Sequence, residues 1–343
     1  MIALYILILL FCFVLLARVV DLFFISSLDL ISKDLRLSSD AAGATLMAVG
    51  SSAPELFVAL FAVLKPGGHQ VIGIGSIVGS AIFNLLVIIG AAALVKKAKL
   101  TWQPVVRDLL FYFIAVAVLL WFIWDGSFNL SEAFIFLAIY VVYVLAVVYW
   151  RKILPYSDME FNEEVHDGHG EESKTVGFID KALKLIFPSK EKYYLVFFVS
   201  IVFIAGLSYV LVEVAVSTAH VLNIPEAIIA LTVLAVGTSI PDLFSSVIVA
   251  RQGRGDMAVS NAIGSNIFDI LVGLGLPFII AMTFSGGTIE AGGDMKISSV
   301  VLFLSVVLLS VLLLVSRWRI GKPAGFILIV AYLFYIIREI VLL

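Results

Sequence analysis

One motif occurs twice in this chain, and each copy sets an acid among apolar residues. Residues 45–57 read TLMAVGSSAPELF and residues 232–244 read TVLAVGTSIPDLF. Aligned, they pair Thr45 with Thr232, Gly50 with Gly237, Ser51 with Thr238, Ser52 with Ser239, Pro54 with Pro241 and Glu55 with Asp242. A second phrase follows each copy, IGSIVGSAIFNLL at 74–86 and VSNAIGSNIFDIL at 259–271, which pairs Ser80 with Ser265, Phe83 with Phe268 and Asn84 with Asp269.

The surroundings of these phrases are those of a membrane protein. The chain is 62% hydrophobic and 14% charged with mean hydropathy +1.15, against roughly 25% charged residues in soluble domains. Ten stretches reach the ~20 apolar residues that a bilayer-spanning helix needs. They lie near 2–31, 40–64, 71–95, 105–124, 130–150, 193–221, 225–250, 257–283, 297–316 and 324–343. Their continuous apolar character excludes a transmembrane barrel, whose strands alternate over ~10 residues. The first stretch lacks a basic leader and a small-residue cleavage site, so it is expected to be retained as a span. Cys12 is the one cysteine, which excludes an internal disulfide.

The repeats occupy spans 2 and 3, then spans 7 and 8. Five crossings separate them, an odd number, so the second copy must thread the membrane in the opposite sense. The expectation is an all-α polytopic membrane protein of ten transmembrane helices in two inverted-topology five-helix repeats, an architecture of secondary transporters whose sites lie at the midplane. The halves are 1–150, with the first repeat at about 40–95, and 193–343, with the second at about 225–283, joined by a linker at 151–192. Of 22 Lys and Arg residues, 18 fall in loops on one side, three (Lys65, Lys296, Arg338) on the other, and Arg18 lies within span 1. The positive-inside rule then expects a cell-membrane protein with both termini extracellular and the linker cytoplasmic. That linker carries an acidic run from Asp158 to Glu172, with His166 and His169 as weak metal candidates, and then VGFIDKALKLIF, which reads as a short amphipathic helix.

Glu55, Asp242 and Asp269 fall well inside apolar spans, and spans 2, 3, 7 and 8 as drawn above contain no Lys or Arg. An unpaired carboxylate there costs at least ~2.5–3.5 kcal/mol, so a mobile cation or a proton is its natural partner. Pro54 and Pro241 have no N–H for the carbonyls of Gly50 and Gly237, and the helix is expected to bend or unwind at both. That exposes carbonyls beside the hydroxyls of Ser51, Ser52, Thr238 and Ser239. Hard cations such as Ca2+ and Na+ favour this mixture of oxygens. Ser80 with Asn84, and Ser265 with Asp269, are four apart and share a helix face; Asn266 adds an amide where the first copy has Ala81. Gly75 with Gly79, and Ser260 with Gly264, are small residues spaced for close helix packing. Arg18 and Asp21 are spaced to pair within span 1, whereas Glu213 has no evident partner.

These motifs resemble those of the cation/Ca2+ exchanger superfamily, and GSSAPELF, VGSAIFN, GTSIPDLFSS and ARQGRGDMAVSNAIGSNIFDIL look most like the potassium-dependent Na+/Ca2+ exchangers. The short chain resembles a prokaryotic member. The resemblance implies antiport of Na+ against Ca2+, with K+ co-transport in the potassium-dependent branch, by alternating access and without a cofactor. It implies Glu55 and Asp242 as central Ca2+ ligands with the carbonyls of Ser51 and Thr238. Ser52, Ser239, Ser80, Ser265 and the carbonyls of Ala48 and Ala235 would flank them as Na+ ligands. Asn84 and Asp269 take the middle position, and Asn266 with Asp269 is associated with K+. Asp242 stands where potassium-independent relatives carry Glu, and Ser51 where microbial ones carry Thr; the shorter Asp242 should enlarge the cavity.

Two other readings stay open. One is exchange of H+ or of another divalent cation, although the G-N-x-x-E signature of the proton-coupled branch is absent. The other is an intramembrane aspartyl protease using Asp242 and Asp269 as a dyad; it leaves Glu55 and the hydroxyl-rich first repeat without a task. The expected partners are inorganic cations and the lipid bilayer, with no nucleic acid, no obligate protein partner and no enzymatic activity.

Overall fold

A computed structural model describes residues 2–35, 48–154, 174–251, 253 and 255–341. Thr45, Arg36, Arg254, the acidic run and both linker histidines lie outside the described residues. The chain is an all-α, multi-pass membrane protein. Nine helices among the described residues are long and apolar enough to cross a membrane: span 1 (Ile2–Leu28), span 3 (Gln70–Val95), span 4 (Trp102–Ile123), span 5 (Leu130–Trp150), span 6 (Tyr193–Leu222), span 7 (Glu226–Arg251), span 8 (Gly255–Ser285), span 9 (Met295–Val315) and span 10 (Lys322–Val341).

Span 2, expected near 40–64 with a bend or unwinding by Pro54, is interrupted. Its described part is a short turn of helix, Ala48–Ser51, followed by Ala53–Leu64. The chain still crosses here, as its ends show. Asp34 accepts a 2.7 Å hydrogen bond from the hydroxyl of Tyr194 at the start of span 6. Lys65 and His69 instead pair with Glu213, late in span 6, and Glu226, at the start of span 7. Glu213, read from the sequence as having no evident partner, thus has Lys65.

Span 3 is 83% buried, against 28% for span 1 and 22% for span 5. The repeat helices therefore form the interior, and the outer spans present apolar side chains to lipid. Gly75 and Gly79 let span 3 approach span 7 closely: a Cβ on Gly75 would sit 2.8 Å from Cβ of Ala230, and one on Gly79 only 2.5 Å from the Leu231 carbonyl oxygen. The second copy does not repeat this, because Gly264 has only the Tyr143 hydroxyl nearby, 4.0 Å away.

Two small antiparallel clips close the ends of the bundle. Strand β1 (Ala98–Lys99), between spans 3 and 4, pairs with β4 (Arg319–Ile320), between spans 9 and 10. Strand β2 (Ser127–Phe128), between spans 4 and 5, pairs with β3 (Ile289–Glu290), between spans 8 and 9. Matching span 3 to span 8 and span 4 to span 9 exchanges one clip for the other, as an inverted repeat requires. The β1–β4 clip also gathers the basic loops, with Nζ of Lys96 lying 3.0 Å from where a Cβ on Gly253 would stand.

The linker ends in the amphipathic helix expected, Lys174–Ile186. Leu183 and Phe187 pack with Val20, Phe23 and Ile204 of spans 1 and 6, and the Phe187 ring stacks on Phe23 at 3.8 Å. Asp180, nearly buried on this helix, receives both Nε and Nη2 of Arg18. Arg18, spaced to pair with Asp21 on its own helix, thus reaches across to the linker for a bidentate partner. Arg107, counted among the loop cations, is buried in span 4, its Nε 2.8 Å from Asp108; the Tyr143 hydroxyl donates to the same carboxylate at 3.2 Å.

Candidate functional site

Pro54 acts as its chemistry dictates. Ser52 leaves helical geometry (φ −95°, ψ 4°), and Ala53–Leu64 begins just beyond it with Pro54 in its first turn, where a missing N–H costs nothing. Glu55 follows in that same turn, a position the helix dipole favours for an anion. Pro241 behaves otherwise: it sits inside a continuous helix, Ala235–Arg251. An irregularity lies two to three turns earlier, a widened π-helical turn at Ala230–Leu234, and the Thr238 hydroxyl bonds back to the carbonyl of Leu234 at 3.1 Å. Of the bend or unwinding expected at each proline, the first copy shows unwinding at Ser52, whereas helical geometry continues through Pro241 in the second. In span 3 a second widened turn starts at Asn84, and span 8 breaks after Leu271, two residues past Asp269.

These breaks bring the predicted residues of spans 2, 3, 7 and 8 together. Ser80 and Ser239 share a 2.7 Å hydrogen bond between hydroxyls, and Ser51 and Ser265 share one of 3.0 Å. The Asn84 amide donates to Oδ1 of Asn266 at 3.0 Å, while Nδ2 of Asn266 donates to the Ala81 carbonyl at 3.0 Å and to the Tyr112 hydroxyl at 2.9 Å. The hydroxyls of Thr238 and Ser239 face the Glu55 carboxylate, and Ser52 faces Asp269. The charges of Glu55, Asp242 and Asp269 act on one another. Asp242 alone of the three is only partly buried; Glu55 and Asp269 are 2% and 1% exposed. Ala48 opens the helical turn before Gly50, and Ala235 opens the long helix of span 7.

Four buried oxygens here have no hydrogen-bond partner: Ser52 Oγ, Glu55 Oε2, Asn84 Oδ1 and Asp269 Oδ1. They come from both repeats, and a buried acceptor left unpaired costs ~1–3 kcal/mol, more when charged. No Lys or Arg occupies spans 2, 3 or 8, and Arg251 stands at the far end of span 7. The donor set is all oxygen, suited to hard cations. Among the described residues no three His, Cys, Asp or Glu side chains converge on one point, so hydroxyl and amide oxygens carry part of any coordination. Tyr112, absent from the motifs, is the residue that sequence reasoning missed. Its one signal is a polar pair, Asp108 and Tyr112, one helical turn apart in the apolar span 4.

Known proteins resemble the chain over most of its length. The family profile described as "Sodium/calcium exchanger protein" matches residues 4–149 and 192–341. The chain is 32% identical to human sodium/potassium/calcium exchanger 5 over 97% of its length and 82% of that protein's. It is 29% identical to chicken sodium/potassium/calcium exchanger 2, covering 97% of this chain and 76% of the relative. Among solved structures, the sodium-calcium exchanger NCX_Mj superposes with a TM-score of 0.62 at 23% identity, covering 98% of this chain and 99% of that one. The H+/Ca2+ exchanger CAX gives 0.68 at 14% identity over 97% of this chain and 84% of that one. The chain belongs to the sodium/calcium exchanger protein family, as a multi-pass membrane transporter that exchanges cations against Ca2+.

Proposed function

We propose that the chain exchanges Na+ for Ca2+, with K+ co-transported, at one shared site built from both repeats. The observation that carries this reading is the set of four unpartnered oxygens on Ser52, Glu55, Asn84 and Asp269, in spans 2, 3 and 8, which hold no Lys or Arg. A desolvated cation is the partner such a set lacks. The sodium/potassium/calcium exchangers it resembles support the choice of ions.

Glu55 and Asp242 are the Ca2+ ligands, aided by the carbonyls of Ser51 and Thr238. Ser52, Ser80, Ser239, Ser265 and the carbonyls of Ala48 and Ala235 serve Na+, and Asn84 and Asp269 occupy the middle. The halves 1–150 and 193–343 move against one another to give alternating access. The gathering of basic loops at the β1–β4 end supports the reading in which that end, and the linker, face the cytoplasm of a cell-membrane protein.

Purified protein in liposomes tests this with 45Ca2+ uptake under imposed Na+, Na+ plus K+, or pH gradients. Na+-driven uptake is expected, and Glu55→Gln or Asp242→Asn should abolish it; near-normal uptake by either variant refutes the shared site. Asp269→Asn should alter the Na+ or K+ dependence more than Ca2+ affinity. Uptake driven by a pH gradient alone would favour H+/Ca2+ exchange instead.

A further inference from the structure

Asn266 stands in the motif as a ligand, yet every hydrogen-bonding group of its side chain but one lone pair is already spent within the protein. An Asn amide has two N–H donors and a carbonyl. Both donors are taken, by the Ala81 carbonyl and the Tyr112 hydroxyl, and the carbonyl accepts from Asn84. The Ala81 oxygen accepts only, so it fixes which end of the Asn266 amide faces span 3. That in turn fixes Asn84: its nitrogen is committed to Asn266, and its oxygen is the unpartnered one.

The outer end of this bracket is Tyr112. It is fully buried about halfway along span 4, and its hydroxyl accepts from Nδ2 of Asn266. One turn away on the same helix, Asp108 is held by Arg107 and by the hydroxyl of Tyr143 from span 5. Span 4, which contributes no motif residue, is thereby locked in rotation against spans 5 and 8.

We propose that Tyr112 is a positioning residue that sets cation affinity by holding Asn266, and through it directing the Asn84 carbonyl oxygen into the transport site. The inference rests on the shared-site reading above. Asn266 acts in it as the hinge of the bracket and not as a ligand.

Tyr112→Phe removes one oxygen and keeps the ring. One neutral hydrogen bond is at stake, so the half-saturating concentration of the cation that Asn84 serves should rise about three- to tenfold, with maximal rate little changed because the lost contact serves binding. The half-saturations for Na+, K+ and Ca2+ should not rise equally. In an Asn84→Ala background Tyr112→Phe should have little further effect, because the group it positions is gone. Should Tyr112→Phe fail to fold, Asn266→Leu, which breaks the same bracket, should give the same cation-selective loss.

A wild-type protein without cation-driven Ca2+ uptake would sink the shared site itself. With wild-type exchange intact, the positioning role is overturned by any of three results: unchanged half-saturations, a uniform fall in maximal rate, or full additivity with Asn84→Ala.

Discussion

Gly79 and Gly264 occupy matching positions in the two repeats, one residue before Ser80 and Ser265, yet the same substitution should act oppositely at them. A methyl group at Gly79 would lie 2.5 Å from the Leu231 carbonyl oxygen, 2.8 Å from the Leu231 Cα and 2.7 Å from the Ala235 Cβ. Two of these are backbone atoms, so no rotamer change relieves the contact. Spans 3 and 7 must separate by roughly 1 Å to restore van der Waals distance, and overpacking of that kind costs about 1–3 kcal/mol. The displaced pair carries Ser80 and Ser239, whose 2.7 Å bond sits at the site. At Gly264 the nearest atom is 4.0 Å away, so alanine meets no obstacle and should recover up to ~1 kcal/mol of helix propensity. Thermal unfolding in detergent, read beside Na+-driven 45Ca2+ uptake, checks both. Gly79→Ala should melt lower and transport less, while Gly264→Ala should melt at or above wild type with transport kept. Equal shifts for the two variants would refute the claim that the copies pack differently.

Two further substitutions probe how span 1 is held. Asp180→Asn should weaken the hold of the linker helix on Arg18 and destabilise by about 1–3 kcal/mol, a value discounted because Arg18 is partly exposed; faster tryptic cleavage at Lys181 and Lys184 is the readout, and unchanged protection would contradict the docking. Gly237→Ala would drive a methyl into the Phe13 ring of span 1, so transport and melting temperature should both fall, and the added Phe13→Leu change should restore them at least in part. No rescue would mean that Phe13 is not the obstacle.

Much of the scaffold follows from composition and parity. Apolar runs mark the crossings, and an odd number of them between the repeats forces the inversion that the two strand clips mirror. The acids could be placed because a lone carboxylate in an apolar run has few alternatives. The two prolines were harder to read. Both remove the same backbone donor, but in the second copy Thr238 bonds its hydroxyl back onto Leu234 and the helix runs on through Pro241. Ser51, its counterpart, shares a hydrogen bond with Ser265, and the helix breaks at Ser52. No local pattern distinguishes these outcomes. Partners distant in sequence were equally hidden: Asp180 lies 162 residues from Arg18, and Tyr112 lies 154 from Asn266.

The difference between the repeats bears on how exchange proceeds. If both copies held one conformation, the Ser80–Ser239 bond would be mirrored by Ser265 with Ser52. Ser265 bonds to Ser51 instead, and Ser52 is left facing Asp269. One sequence motif thus exists in two conformations within a single molecule, and in the proposed exchanger the inverted halves trade them as access changes sides. Swapping one hydroxyl pair for another involves only about 0.5–1.5 kcal/mol, too little to hold either state on its own. A cation reaching the oxygens of Ser52, Glu55, Asn84 and Asp269 would satisfy four groups that each carry a desolvation penalty of about 1–3 kcal/mol or more. Ligation therefore outweighs the serine bonds, and in the proposed exchanger the ion would bias the two arrangements by as much as it binds one more tightly than the other.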